Sequence, residues 1–272
     1  MSKLRSDQEV ALAASLLSQK RLAALVAMTG SDRDALAIHS QMMSVAAALG
    51  PVLGLIEVAL RNAVCARLDE MFGSTDWLNN PPAPFAWRSD EVGSLRRATG
   101  QAQRAEYSKL TNAQKKALET LAYPTGVPAG ATHEHRVKRR QRAITVDMGQ
   151  HIAQLTFHFW KRLFSAEYEA TLWDRSLKRL FPDKGLSRPE VATQLEAIYQ
   201  ARNRIAHHEP VYGPRLRRAL AAIDFVAERF LERRPNPESI LCKMIGERRQ
   251  HLQVEADALD ALMARFLPAA PH

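Results

Sequence analysis

Cysteine is scarce in this chain: only Cys65 and Cys242 occur in 272 residues. Two distant thiols, each in a helical pattern, cannot frame a small fold. They exclude a disulfide scaffold and predict buried thiols in a reducing cytosol. No apolar run reads as approaching the 18 or more residues of a membrane span. The start, Met-Ser-Lys-Leu-Arg-Ser-Asp-Gln-Glu, lacks the apolar stretch of a leader. The expectation is therefore a cytoplasmic protein with no membrane partner. Period-two strand patterns, internal repeats and sustained heptads are missing as well. So are the phosphate loop G-x4-GK[ST], the nucleophile elbow G-x-S-x-G and the zinc motif H-E-x-x-H. His133-x-His135 has no third ligand or paired cysteine at a recognised spacing and reads as solvated loop. Neither a metal nor a cofactor is expected.

Acidic residues are also in deficit, with 29 Asp and Glu against 38 Lys and Arg, a net charge of +9. That imbalance favours a polyanionic partner, nucleic acid before a membrane surface. The positive charge is clustered. Its densest block runs from His133 to Arg142 and contains Arg136, Lys138, Arg139, Arg140 and Arg142. Arg96-Arg97 with Arg104, Arg215 to Arg218, and Arg233-Arg234 add to it. Each cluster alone also fits a solvated helix face. The preference for arginine suits phosphate, because its planar fork grips oxygens in pairs.

What remains is helical pattern, and the fold class it predicts is all-α. Residues 6–29 carry helical spacing and stop near Gly30. A long helical region follows over 31–72, with a break or kink at Gly50-Pro51. Residues 73–90 read as loop, with Trp77, Phe85 and Trp87 packed on the body. One or two polar helices fill 90–121, and a Pro- and Gly-bearing loop fills 123–135. Residues 143–165 and 166–180 read as helical, as do 214–233 and 238–266. The whole is taken as a single domain over 1–272, with a core of about 20–232 and a C-terminal helical extension of about 236–268.

One helix stands out. Ser187-Arg188-Pro189-Glu190 is a capping box with an early proline, two start signals. Val191, Leu195, Ile198 and Ile205 then form one apolar stripe. Pro210 disfavours helix at Glu209, so the helix should end near His208, with His207 in its last turn. Arg202 falls on the apolar stripe, where a guanidinium needs a partner or a ligand. Asn203 and His207 lie four apart on an adjacent face. Arg202 and His207 are about 140° apart around the helix. A site using both therefore borrows groups from another helix or subunit. Histidine exchanges a proton near neutral pH, which suits general acid or base work. By spacing alone, Arg-x4-His is weak, and a helix end with a capping histidine and a surface arginine explains it as well.

Arg202-Asn203-x3-His207 resembles the R-(N/D/H)-x3-H signature of the HEPN superfamily. The longer RNRIAHHEP resembles its Abi-like branch, the abortive-infection proteins of AbiD/AbiF type. Leu55-Ile56-Glu57-Val58-Ala59-Leu60-Arg61-Asn62-Ala63 is similar to that branch's "hEvaLRNai" helix. Leu155 to Trp160 is similar to its "LtFGFW" segment, with Leu172-Trp173 and Leu180-Phe181-Pro182 after it. The matches run in the family's order over roughly residues 20–230. One departure is His158, where the family has Gly, which bears on local packing.

The resemblance implies a HEPN-type helical bundle with additional N- and C-terminal helices. It implies a metal-independent endoribonuclease, a hydrolase that acts as a toxin or abortive-infection effector in antiviral defence. Arg202, Asn203 and His207 would be catalytic, and two copies would form a homodimer with a composite site. Glu57, which flanks the apolar stripe of its helix, would orient Arg202, with Arg61 and His208 in support. A Glu57–Arg61 pair on one helix surface is the plainer alternative. RNA would be held by Arg136, Lys138, Arg139, Arg140, Arg142 and Arg204. A partner, protein antitoxin or inhibitory RNA, would restrain the activity. Two other readings stay open: a catalytically silent HEPN module that binds RNA or protein, and an unrelated helical nucleic-acid-binding regulator.

Overall fold

The computed structural model describes residues 6–266. The first residues of the chain, and the end of the predicted extension at 268, lie outside them. The protein is all-α, with no strand among the described residues. Its contacts divide into two compact units, Met1–Asn62 with Lys178–His272, and Ala63–Leu177.

The first unit begins with α1 (Asp7–Leu17) and α2 (Gln19–Thr29). The expected single helix over 6–29 is two, because Ser18 takes a left-handed φ of 75° and breaks the ladder. A left-handed Gly30 ends α2, the favoured role for glycine after a helix. The next helix, α3 (Asp32–Phe72), continues through Gly50-Pro51, so the break or kink expected there is not a break. Pro51 is exposed, so its ring meets solvent rather than core. By length and composition α3 is long and apolar enough to cross a membrane, which corrects the reading that no segment approaches that length. One side of it is nevertheless used within the protein: Leu36, Val45, Leu49, Val52, Ile56 and Leu60 are buried. Gln41 of α3 donates to the Glu255 carboxylate at 2.6 Å.

Three later helices complete this unit: α9 (Arg188–Ala206), α10 (Gly213–Arg229) and α11 (Ile240–Ala264), numbered after those of the second unit. In chain order α10 packs on α9 and α11 on α10. The sequence reading carried α10 to 233. It stops earlier because Phe230 is extended and Leu231 turns left-handed at φ 64°.

The second unit holds α4 (Ser89–Lys109), α5 (Asn112–Ala122), α6 (His133–Arg142), α7 (Met148–Gln154) and α8 (Phe157–Arg162). Residues 90–121 resolve into two helices because Thr111 caps α5 through a box with Gln114. His133 and His135, expected in a loop, lie in the first turn of α6, where Thr132 accepts from the His135 N–H at 3.2 Å. The helix expected over 143–165 is split. Asp147 and Gln150 cap α7, and an extended Leu155-Thr156 separates it from α8. Residues 166–180 form short 3-10 and π turns rather than a helix.

The aromatic residues of this unit pack together, most of them in the core as read from the sequence, with Phe85 and Trp87 half-buried at its edge. Trp77, Phe157, Phe159 and Trp160 are buried. Trp87 meets Trp77 and Phe159 with ring centroids 6.0 and 5.7 Å apart. Beneath this cluster lies a carboxylate that the sequence does not announce. Glu91 is 1% exposed; it accepts from Arg162 at 2.9 Å and from the Tyr168 hydroxyl at 2.6 Å. Burial, then the bond to Glu91, pushes the Tyr168 phenol well above its ordinary range.

Candidate functional site

The motif helix α9 starts as its sequence requires. The Ser187 N–H donates to the Glu190 carboxylate at 2.8 Å, which closes the first turn. Val191, Leu195, Ile198 and Ala201 are buried and fix the helix rotation, while Ile205 is half-buried.

The far end is a complete Schellman turn. Ala206 is the last helical residue and His207 is the cap, one position later than the last turn expected from Pro210. His208 is left-handed at φ 53°. Its N–H donates to the Ile205 carbonyl at 2.9 Å, and the Glu209 N–H donates to the Arg204 carbonyl at 2.7 Å. Those two bonds satisfy carbonyls that a helix end leaves orphaned. The usual apolar clasp across such a turn is replaced by charge. Arg204 lies 3.1 Å from the Glu209 carboxylate and donates to the Pro210 carbonyl at 3.1 Å. From α2, Arg21 donates to the His208 carbonyl at 3.2 Å. His208 thus has a structural task, and Arg204 is occupied in holding the turn.

This turn presents His207 to solvent. Its N–H donates to the Asn203 carbonyl at 3.0 Å, and its ring has no hydrogen-bond partner among the described residues. Asn203 is half-buried one turn earlier. Arg202 is not a core residue, as its place on the stripe suggested; its side chain is 41% exposed. Its guanidinium lies 3.8 Å from the Glu57 carboxylate on α3, which is 21% exposed. The orienting partner read from the sequence is therefore beside the arginine. Arg61 instead turns to the Asn62 side chain at 3.5 Å. Burial raises the Glu57 pKa, opposed by the charges of Arg202 and then Arg61.

Among the described residues no hydrogen bond or ion pair joins the side chains of Arg202, Asn203 and His207. Chemically, the arrangement offers a guanidinium anchored on one side and open on the other, and an imidazole open for proton exchange. They face different ways around the helix, so one copy does not close around a single phosphate.

The basic block behaves differently from its sequence. Arg136 and Arg140 both grip Glu119, with the Arg136 Nε donating at 3.2 Å and the Arg140 Nε at 2.7 Å. The Arg136 bond leads in holding the Glu119 carboxyl below its ordinary range. Lys138 pairs with Glu134 at 2.6 Å, and Arg139 lies over the Tyr123 ring at 5.5 Å. Arg139 and Arg142 have no ion-pair partner among the described residues, and Arg142 has no aromatic ring beneath it either. Glu119, which turns two of these cations inward, carries no signal of that role in the sequence. The thiols of Cys65 and Cys242 are half-buried rather than fully buried and form no disulfide. His133 and His135 gather no third ligand, since no group of three His, Cys, Asp or Glu among the described residues could hold a metal.

The chain matches no protein-family model, no curated protein and no solved structure.

Proposed function

We propose that the protein is a metal-independent endoribonuclease of HEPN type, a toxin that limits phage spread by abortive infection. The observation that carries this reading is the end of α9: an exposed His207 held by the Schellman turn, one helical turn from an Arg202 whose guanidinium is steered by Glu57. The net charge of +9 supports an RNA partner.

In this mechanism two copies bring their α9 ends together around one scissile phosphate. His207 of one copy takes the proton of a ribose 2′-OH. The 2′ oxygen forms a bond to phosphorus, and the bond to the leaving 5′ oxygen breaks. His207 of the other copy donates a proton to that oxygen. Arg202 stabilises the charge developing on the non-bridging oxygens. Asn203 orients the imidazole or the phosphate. The products are a 2′,3′-cyclic phosphate and a 5′-hydroxyl. Such a homodimer acts in the cytoplasm, restrained by an antitoxin or an inhibitory RNA until infection.

The test is cleavage of total RNA or tRNA by the purified protein in EDTA, beside His207→Ala. Cleavage that leaves cyclic-phosphate ends and disappears in the variant is the expected result. A folded dimer that does not cut, or a variant that cuts as well as the parent, would overturn it.

A further inference from the structure

Against the Schellman turn lies a cavity of about 270 Å³ whose lining does not include His207. On α3 it is lined by His39, Met42, Met43, Ala46 and Ala47, one stripe at helical spacing. Arg21 and Leu25 of α2 form a second wall, and Ile205, His208 and Pro210 form a third. We propose that this cavity binds a small carboxylic acid with a flat or branched apolar body of about a dozen non-hydrogen atoms.

Size narrows the occupant first. At about 270 Å³ the space is just below the usual range of small-molecule pockets and far too small for a helix, which is about 10–12 Å across. The lining settles the body of the ligand. It is mostly alanine, leucine, isoleucine and methionine, and methionine adapts its shape to what it meets. One cationic group settles its head. The His39 ring lines the wall, with its Nδ1 sealed from the space. Arg21 spends one nitrogen on the His208 carbonyl, which leaves further N–H donors on its fork.

The charge at this end is positive. Burial, then the Arg21 charge, lowers the His39 pKa, so the ring stands neutral beside a cation. A neutral ring adds no second cation to the wall. A carboxylate accepts from the remaining Arg21 N–H groups, whereas an ammonium head would meet the guanidinium. The other charged residue on the wall, Glu209, is already paired with Arg204 at 3.1 Å. The binding site stands independently of the RNA reading, although it touches the turn that carries His207.

Isothermal titration of the full chain with naphthalene-2-carboxylate and with naphthalene-2-carboxamide tests the proposal. The carboxylate is expected to bind with a Kd of about 0.1–1 mM, and the amide about tenfold more weakly. Arg21→Gln should bring the carboxylate down to the level of the amide. Ala46→Leu should fill the cavity and abolish both heats. Thermal unfolding checks each variant, and Ala24→Leu on the α2 wall replaces Ala46→Leu should that protein not fold. No heat with either compound, equal binding of the two, or undiminished binding to a folded, filled variant would each overturn the proposal.

Discussion

Removing the charge of Glu57 while keeping its shape separates an orienting role from a stabilising one. At 3.8 Å the attraction between Glu57 and Arg202 is about 4 kcal/mol at an effective dielectric of 20 and about 1 kcal/mol in water. Arg202 is 41% exposed, so solvent screening favours the smaller figure. Burial works against the ionised carboxylate and outweighs both arginines, since the pKa of Glu57 is raised above 4.5. A carboxyl with a raised pKa holds its proton better in the folded protein than in the unfolded chain. Its ionisation therefore removes stability as pH climbs from below 4.5 through the raised value, and the loss persists above it. Glu57→Gln should escape that loss. Urea unfolding at about pH 4 should leave parent and variant level, and at about pH 7 the variant should equal or exceed the parent by up to about 1 kcal/mol. That is a shift of about 2–4 °C at most for a protein of this size. RNA cleavage should nevertheless fall about 10–100-fold, because Arg202 loses the carboxylate that aims it. A stability loss above about 2 kcal/mol at neutral pH would make the pair structural and refute the reasoning. Unchanged cleavage in a folded variant would remove Glu57 from the site.

Three further changes test the surrounding structure. Glu91→Gln takes the buried carboxylate from Arg162, which keeps Glu167 at 2.6 Å, and from the Tyr168 hydroxyl; it should lower stability by about 1–3 kcal/mol in urea, and no loss would contradict the buried pair. His208→Gly relieves a left-handed side chain and should raise stability by about 0.5–1 kcal/mol in thermal unfolding; a loss would mean that the imidazole itself holds the turn. Glu119→Gln releases Arg136 and Arg140 and should steepen the dependence of RNA affinity on salt by about one to two counterions. In the parent, the carboxylate of Glu119 favours folding above the ordinary carboxylate range, and that contribution is lost as pH falls through its lowered pKa. A salt dependence unchanged by Glu119→Gln would mean that α6 does not contact RNA.

Local chemistry was enough to establish the helical class and the limits of α9. Ser187 and Glu190 start that helix through bonds to near neighbours, and Pro210 disfavours helix at Glu209 by steric clash, which sets the end to within about two residues of Ala206. The same locality explains the buried stripe of Val191, Leu195 and Ile198, and the aromatic core around Trp160. Caps made by ordinary polar residues were harder to see: Asp147 with Gln150, and Thr132 before His135, look like any polar run until the backbone turns there. Pro51 carried a break signal that α3 overrode: it and Ala47 are exposed, so water can meet the carbonyl one turn back that loses its N–H partner. Only tertiary structure decided which charges are available. It brought Glu57 to Arg202 from a distant helix, turned Arg136 and Arg140 onto Glu119, and set Arg204 against Glu209 and Pro210. Periodicity reports which face of a helix is apolar, whereas the partner of a charge depends on which helix lies opposite, and that is settled only when the chain folds.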